Sequence, residues 1–412
     1  MEPRKCPFYK ILNLEGGVAV DAFRFGAVPG ISMYFLTHFH SDHYGGLNQN
    51  WVHGKVYCSD VTANLVKQQL KVPEEFIVRL PMEQRIQVGN FSVTLIDANH
   101  CPGSVIFLFE SSRGRILHTG DFRASPMHAL HSSLQNKSID TLYLDTTYLN
   151  AKYNFPHQSD VVQVAAEISY NLDLNVKIAV NKLLRQNQGV VKSLLASITK
   201  PQKPDTAKGE LLVIIGTYSI GKERMAIAIA QKLRTKIFAS VNKRRIYSCL
   251  NDSVLNSLLT NDPNEAQVHI VSLQEIRPDT LKEYLAQFQT RFNRIVGFRP
   301  TGWNHRPAKS NVGTLTVAKL VHNLKPRFTS DDVVAGRGSN EKIMQFDLPY
   351  SEHSSFRDLA CFCMALDIKR IIPTVNVGSP KSRDMMREWI DKWNIERRKS
   401  GLLKIDSNQL EW

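Results

Sequence analysis

Short apolar runs that each stop on a histidine or an acid recur through the first third of the chain. GVAVDAFRF (17–25) predicts a short strand carrying Asp21, and ISMYFLT predicts a strand leading into THFHSDHYGG (37–46). KVYCSDVTANLVKQQL begins as a strand and becomes a helix, with Ser59 or Asp60 placed to cap it. FSVTLIDANHCPGSVIFLFE (91–110) predicts two strands joined by a tight Pro-Gly turn, with His100 at the end of the first. RGRILHTGDF (113–122) predicts a strand with Asp121 directly after Gly120, and SIDTLYLDTTY (138–148) a strand ending in Asp145. A purely structural strand has no reason to finish repeatedly on His or Asp. Functional residues gathered at the carboxyl ends of several strands describe a layered α/β active site.

Past residue 150 the texture changes. A helical stretch from about Asp160 to Tyr170 leads into a basic helical one, and a Pro- and Lys-rich insertion (199–209) follows. LLVIIG predicts a buried strand and TYSIGKERMAIAIAQKL a loop opening into a helix. The stretches 232–245 and 291–309 are basic, the second with Phe298 and Trp303 interleaved, which suits a core strand as well as base stacking. Residues 329–341 read as a loop back to the first domain; FDLPYSEHSSF then places His353 after a short strand. A strand and loop, KRIIPTVNVGSPKSR, and a mixed-charge helix close the chain.

At 412 residues the chain is long enough for two domains. Its net charge of +14 favours a polyanionic partner, nucleic acid or an acidic membrane surface. The six cysteines include no CxxC pair, so neither a disulfide framework nor a cysteine-based zinc finger is expected. With no apolar leader core and no 18-residue apolar run, a soluble protein of a reducing compartment is expected, with no membrane partner.

The densest chemistry lies in THFHSDH, where His38, His40, Asp42 and His43 fall within six positions. Imidazole and carboxylate suit zinc and its first-row neighbours. Two histidines two apart on extended backbone point the same way, and Asp42–His43 diverge where the chain turns, so one loop can serve two ions. His38, His40, His100 and Asp121 then make one ligand set, and Asp42, His43, His353 and a shared Asp121 a second. Two ions about 3.5–4 Å apart support in-line phosphoryl displacement without a separate strong base. His118 and His305 carry no spacing argument and read as structural or as supports outside the ligand set. GTYSIGKE (216–223) approaches a phosphate loop, but Glu223 stands where a Ser or Thr would hold magnesium, which argues against nucleotide hydrolysis. A helix N-terminus with Lys222 still suits another phosphate. Contacts to a nucleic-acid backbone are assigned to Lys222, Lys243 and Arg245, the last two in a stretch that no acid offsets.

With these residues in view, the chain resembles the metallo-β-lactamase-fold nucleases of the β-CASP group, in the DNA cross-link repair branch that includes Artemis and Apollo. Asp21, THFHSDH, His100 in DANHCPG and Asp121 in HTGDF resemble its first four motifs. Asp145 in YLDTTY corresponds to motif A, and His353 in PYSEHSS to motif B. At motif C, RNA-processing members carry His and DNA-processing members Val; IIPTVNVG supplies Val375. The resemblance implies an α/β fold, a metallo-β-lactamase αββα sandwich with an inserted α/β β-CASP cap. Residues 1–155 and 341–412 would form the sandwich and 156–340 the cap, its insertion around 185–208 having no assigned role. It further implies a nuclear, zinc-dependent 5′-to-3′ exonuclease of interstrand cross-link repair, with magnesium or manganese an alternative at the second position. Its expected partner is DNA with a 5′-phosphate end, alongside repair proteins that the sequence does not identify. Asp42, Asp121 and His353 would be catalytic, Asp121 bridging the ions, while Asp21 and Asp145 orient ligands from outside. The basic cap would hold the DNA backbone, giving strong salt dependence and little sequence preference. The alternatives are an RNA-processing relative, against which Val375 argues, a small-molecule metallo-hydrolase, which needs neither +14 nor a cap, and a catalytically silent DNA-binding scaffold, which should have lost ligands.

Overall fold

The computed structural model describes residues 5–176, 180, 182–184, 210–303, 316–322 and 327–412. Three sheets organise it. The first holds β1 (Ile11–Leu12), β2 (Val18–Val20), β3 (Met33–Phe35), β4 (Lys55–Ser59) and β5 (Ile77–Leu80) in that order. The second holds β6 (Arg85–Val88), β7 (Phe91–Asp97), β8 (Val105–Ser111), β9 (Gly114–His118) and β10 (Ile139–Leu144). The third comprises β11 (Glu210–Thr217), β12 (Lys236–Ala239), β13 (Leu259–Thr260), β14 (Ala266–Ser272), β15 (Phe292–Pro300) and β16 (Ile343–Leu348), in the order 13-12-14-11-15-16. The final strand, β17 (Ile368–Pro373), returns to pair in parallel with β10 at the edge of the second sheet.

Alternation along β8 shows how the layers form. Val105, Phe107 and Phe109 enter one core with Val20 and Phe35 of the first sheet. Ile106 and Leu108 point the other way, into a core with Phe356, Phe362, Trp389 and Trp393 of two helices, Phe356–Ala365 and Pro380–Ser400. Side chains of period two thus serve two cores at once, and a β-β stack faced with helices follows. On the opposite face of the first sheet lies the helix Asp60–Leu70, capped by the Ser59 side chain, which accepts from Thr62 N–H.

The third sheet is the cap, and its pairings are all parallel. Leu211, Val213 and Ile215 of β11 face the helices Gln158–Asp173 and Glu223–Leu233, while Leu212 and Ile214 face Leu281 and Leu285 of the helix Pro278–Ala286. β16 pairs with β15 from Ile343 to Leu348, so the cap sheet runs to Leu348 and the expected division at 340 falls too early. The insertion around 185–208 and His305 lie outside the described residues.

His269 on β14 is fully buried among Phe238, Tyr284, Phe288 and Phe292. Burial pulls its pKa from 6.5 down to about 4, against the bonds its ring makes with the Pro263 and Ala266 carbonyls. The neutral ring satisfies the site, with Nε2 donating to those carbonyls and Nδ1 accepting from the Tyr284 hydroxyl. Its stabilisation is therefore complete above pH 6.5 and is lost as the pH falls toward 4, at a cost on the order of 3 kcal/mol. Urea midpoints taken from pH 7 to 4 should fall less steeply in His269→Leu than in the wild type; parallel slopes would rule out this residue as a source of acid lability.

Candidate metal centre

Every imidazole in this site turns one nitrogen inward and ties the other to a fixed partner. His43 and His353 give their Nδ1 to carboxylates, Asp21 and Asp145, each at 2.8 Å. His38 Nδ1 lies 2.9 Å from the Thr37 hydroxyl, and His100 Nδ1 lies 2.8 Å from the Glu352 carbonyl. His40 is reversed: its Nε2 is 3.2 Å from the Ile220 carbonyl of the cap, so its Nδ1 faces inward. Outer bonds of this kind set the tautomer and leave a lone pair on the inward nitrogen, as a metal ligand requires.

The inward atoms converge in two groups. His40 Nδ1 lies 2.9 Å from His38 Nε2 and 3.2 Å from His100 Nε2. Asp121 Oδ2 lies 3.2 Å from His43 Nε2, 3.8 Å from His38 Nε2 and 3.9 Å from His353 Nε2, so one carboxylate faces both groups. Asp42 Oδ2 stands 3.6 Å from His43 Nε2 on a largely exposed side chain, at the rim of the site. The donor set fits divalent cations, since His38, His40 and His100 bring bare imidazole nitrogens together with too few protons to satisfy one another, and His43 and His353 turn theirs toward the Asp121 carboxylate beside them.

Backbone geometry aims the carboxylates. Gly120, at φ +54°, turns the chain so that Asp121 follows, and a Cβ there would sit 2.7 Å from Thr37 Cβ. Asp21 also adopts positive φ and is buried; its oxygens accept from Thr37 N–H and the Thr37 hydroxyl as well as from His43. It is therefore not the edge or surface residue usual for an acid in a short strand.

Charge is concentrated. Burial alone would raise Asp121, but His43 and His353 outweigh it and hold its carboxyl well below the usual range. Burial would likewise lower His353, but Asp145 and then Asp121 raise it to about 9. His38 and His100 are pushed well down, by burial first and by neighbouring imidazoles second, which keeps both neutral and ready to ligate.

Over this centre a cleft of about 410 Å³ opens between sandwich and cap, walled by Tyr148, Tyr218, Trp303 and Tyr350. Two aromatics of the second basic stretch part company here: Phe298 is fully buried in the cap core, whereas Trp303 is 57% exposed. His118 is buried against Tyr143, accepts from Gly120 N–H and reaches no ligand atom. Cys101 and Glu352 had no place in the sequence reading. The Cys101 thiol groups with His38, His40 and His100, but burial keeps it protonated.

The assignment of Lys222 and Lys243 to a DNA backbone is not supported by where their ammonium groups go. Lys222 is buried, donates to the Pro300 carbonyl and lies over the Tyr218 ring. Lys243 donates to the Thr217 hydroxyl and to the Tyr218 and Ser219 carbonyls, and burial lowers it to about 8. Both staple the 217–222 loop, and only Arg245 of the three is exposed. The phosphate-loop reading fails for a related reason, because Gly221 N–H donates to Glu223 and Lys222 N–H to Glu352, so carboxylates already occupy the donors. Arg294 and Arg299 are likewise committed, to the Leu172 carbonyl and to Asp347.

Two family domains between them contain every candidate metal ligand of the site. Residues 22–176 match the β-lactamase superfamily domain and residues 253–379 the DNA repair metallo-β-lactamase domain. Among curated proteins, a DNA cross-link repair protein pso2/snm1 of Schizosaccharomyces pombe is 42% identical, over 98% of this chain and 67% of its own length. The DNA cross-link repair 1A protein of Mus musculus is 38% identical over 95% of this chain, which spans only 33% of that protein. The 5′ exonuclease Apollo of Gallus gallus is 32% identical over 87% of this chain and 62% of its own length. With a sandwich, an inserted cap, and the His/Asp cluster between them all lying inside these matches, the chain belongs to the DNA cross-link repair family of metallo-β-lactamase proteins.

Proposed function

We propose that the chain removes nucleotides from DNA in the 5′-to-3′ direction, starting at 5′-phosphate ends, with zinc in at least one of its two metal positions. The coarser statement, a metal-dependent nuclease of DNA repair, follows from the family. The observation that supports the two-ion part of this reading is the position of Asp121, one carboxylate oxygen facing histidines of both groups, while the 5′ polarity rests on similarity to the 5′ exonuclease Apollo. His38, His40, His100 and Asp121 would hold one ion, and Asp42, His43, His353 and the same Asp121 the other. Bound there, such ions supply Lewis acidity and an activated water for displacement at phosphorus.

The chain's own residues do the rest. Asp21 and Asp145 hold His43 and His353 with their Nε2 atoms inward, so neither ring must reorient during turnover. Exposed Trp303, packed 4.9 Å from Tyr148, offers an aromatic face to bases entering the cleft. The formal charge of +14 favours the polyanion, and action on genomic DNA implies the nucleus. Against the ribonuclease reading stands position 375, where the backbone of Val375 bonds with the Thr146 hydroxyl and the side chain offers no imidazole.

End-labelled single- and double-stranded DNA with 5′-phosphate or 5′-hydroxyl ends, together with matching RNA, tests this. Wild-type protein should release nucleotides from the phosphorylated 5′ end, and Asp42→Ala should be slower on the order of 10³-fold. RNA cleaved as fast as DNA would favour the ribonuclease. Nitrocefin or thioester turnover without DNA cleavage would favour a small-molecule hydrolase.

A further inference from the structure

Of the five histidines, His38, His43 and His353 have outer partners within the sandwich motifs themselves, Thr37, Asp21 and Asp145. The other two, His40 and His100, depend on a junction with the cap. His40 Nε2 donates to the carbonyl of Ile220, in the cap loop that follows β11, 180 residues away in sequence. His100 Nδ1 bonds with the carbonyl of Glu352, directly after the cap sheet ends.

Glu352 also grips that same loop. Its buried carboxylate accepts from Lys222 N–H at 2.6 Å. The loop passes so close that a Cβ on Gly221, at φ +98°, would lie 2.5 Å from Glu352 Oε2. Lys222 Nζ ties the loop in turn to the Pro300 carbonyl at the end of β15. One residue therefore orients His100 through its carbonyl, and clamps through its side chain the loop whose carbonyl orients His40.

We propose that Glu352 and the 218–223 loop are positioning elements for the ligand group of His38, His40 and His100, so that docking of the cap loop and retention of the ion in that group stabilise one another. This rests on the metal reading given above. Coupling of this kind is reciprocal: whatever loosens the loop weakens the ion, and removal of the ion loosens the loop by the same free energy. The group built on His43 and His353 has no cap carbonyl among its outer partners and is largely exempt.

Two measurements on the full-length protein test the coupling, zinc content with its rate of loss to a chelator, and hydrogen exchange of the 217–224 amides with zinc bound and stripped. In the wild type, zinc should slow exchange in the loop. Glu352→Ala should lose one of two zinc ions 10- to 100-fold more readily, the range for removing an outer-shell support. It should also abolish the zinc-dependent protection. Gly221→Ala, which disturbs the clamp without touching a ligand, should do the same, and Glu352→Gln, which keeps an acceptor for Lys222 N–H, should restore most of it. A merely structural role would lower thermal stability alike with and without zinc and leave the exchange difference intact. Wild-type zinc retention and protection in both Glu352→Ala and Gly221→Ala would overturn the coupling alone. A wild-type protein that binds no divalent ion would overturn the metal reading and the coupling together.

Discussion

Asp121→Ala is expected to lower the rate of DNA cleavage on the order of 10⁴-fold or more, the scale seen when a residue acting as part of a catalytic unit is removed. Asp121 Oδ2 faces histidines of both groups, with separations of 3.2, 3.8 and 3.9 Å to His43, His38 and His353. Its loss removes a ligand from each proposed ion and also the negative charge that lets two cations sit close together. His43 and His353 retain one carboxylate each, Asp21 and Asp145, so their rings should keep their orientation. The defect should therefore appear as lost metal with little change in fold. Metal content, thermal midpoint and single-turnover cleavage measured on the same preparation would show this. Two retained ions, or cleavage within tenfold of wild type, would remove Asp121 from the role proposed for it.

The ease with which this site is read from sequence has a physical basis. A metal group needs donors of particular chemistry at fixed positions, and short strands ending at one edge of a sandwich supply them, so apolar runs that stop on His38, His100, Asp121 and Asp145 disclose the layers and the centre together. Basic residues give no such signal. Lys222, Lys243 and Arg245 look alike along the chain, yet two of them turn their ammonium groups onto carbonyls of their own loop and its neighbour. The difference is set by how β11, β12 and β15 pair, which no local pattern encodes. Glu352 escaped for a similar reason: beside His353 it reads as a polar neighbour, and its grip on the cap loop exists only once residues 130 apart meet. The cap's extension to Leu348 is also a matter of pairing, since IMQFDL is a plausible strand for either domain until it lies against β15.

Asp145→Asn is the sharper test of how the second group is held, and its effect should approach that of losing the ligand itself. Both oxygens of Asp145 act as acceptors. Oδ1 takes Thr147 N–H at 2.9 Å and the Thr147 hydroxyl at 2.6 Å; Oδ2 faces His353 Nδ1 at 2.8 Å and Phe122 N–H at the longer distance of 3.3 Å. An asparagine must place its NH₂ at one of these positions. The short Thr147 bonds oppose it at Oδ1, so it falls at Oδ2, where it donates to His353 Nδ1. The imidazole then carries its proton on Nε2, the atom that faces Asp121, and has no lone pair left for a metal. A carboxylate-to-amide change that leaves geometry intact but selects the wrong tautomer costs about 10⁴-fold in the serine-protease triad, and a loss of 10²- to 10⁴-fold is expected here. Asp145→Ala leaves His353 free to adopt either tautomer and should be less impaired, nearer the 10- to 100-fold cost of a lost outer support. Cleavage rates of the two variants at saturating zinc decide it. An alanine variant as inactive as the asparagine one would mean that Asp145 acts through its charge or its packing and not by choosing which nitrogen of His353 is bare.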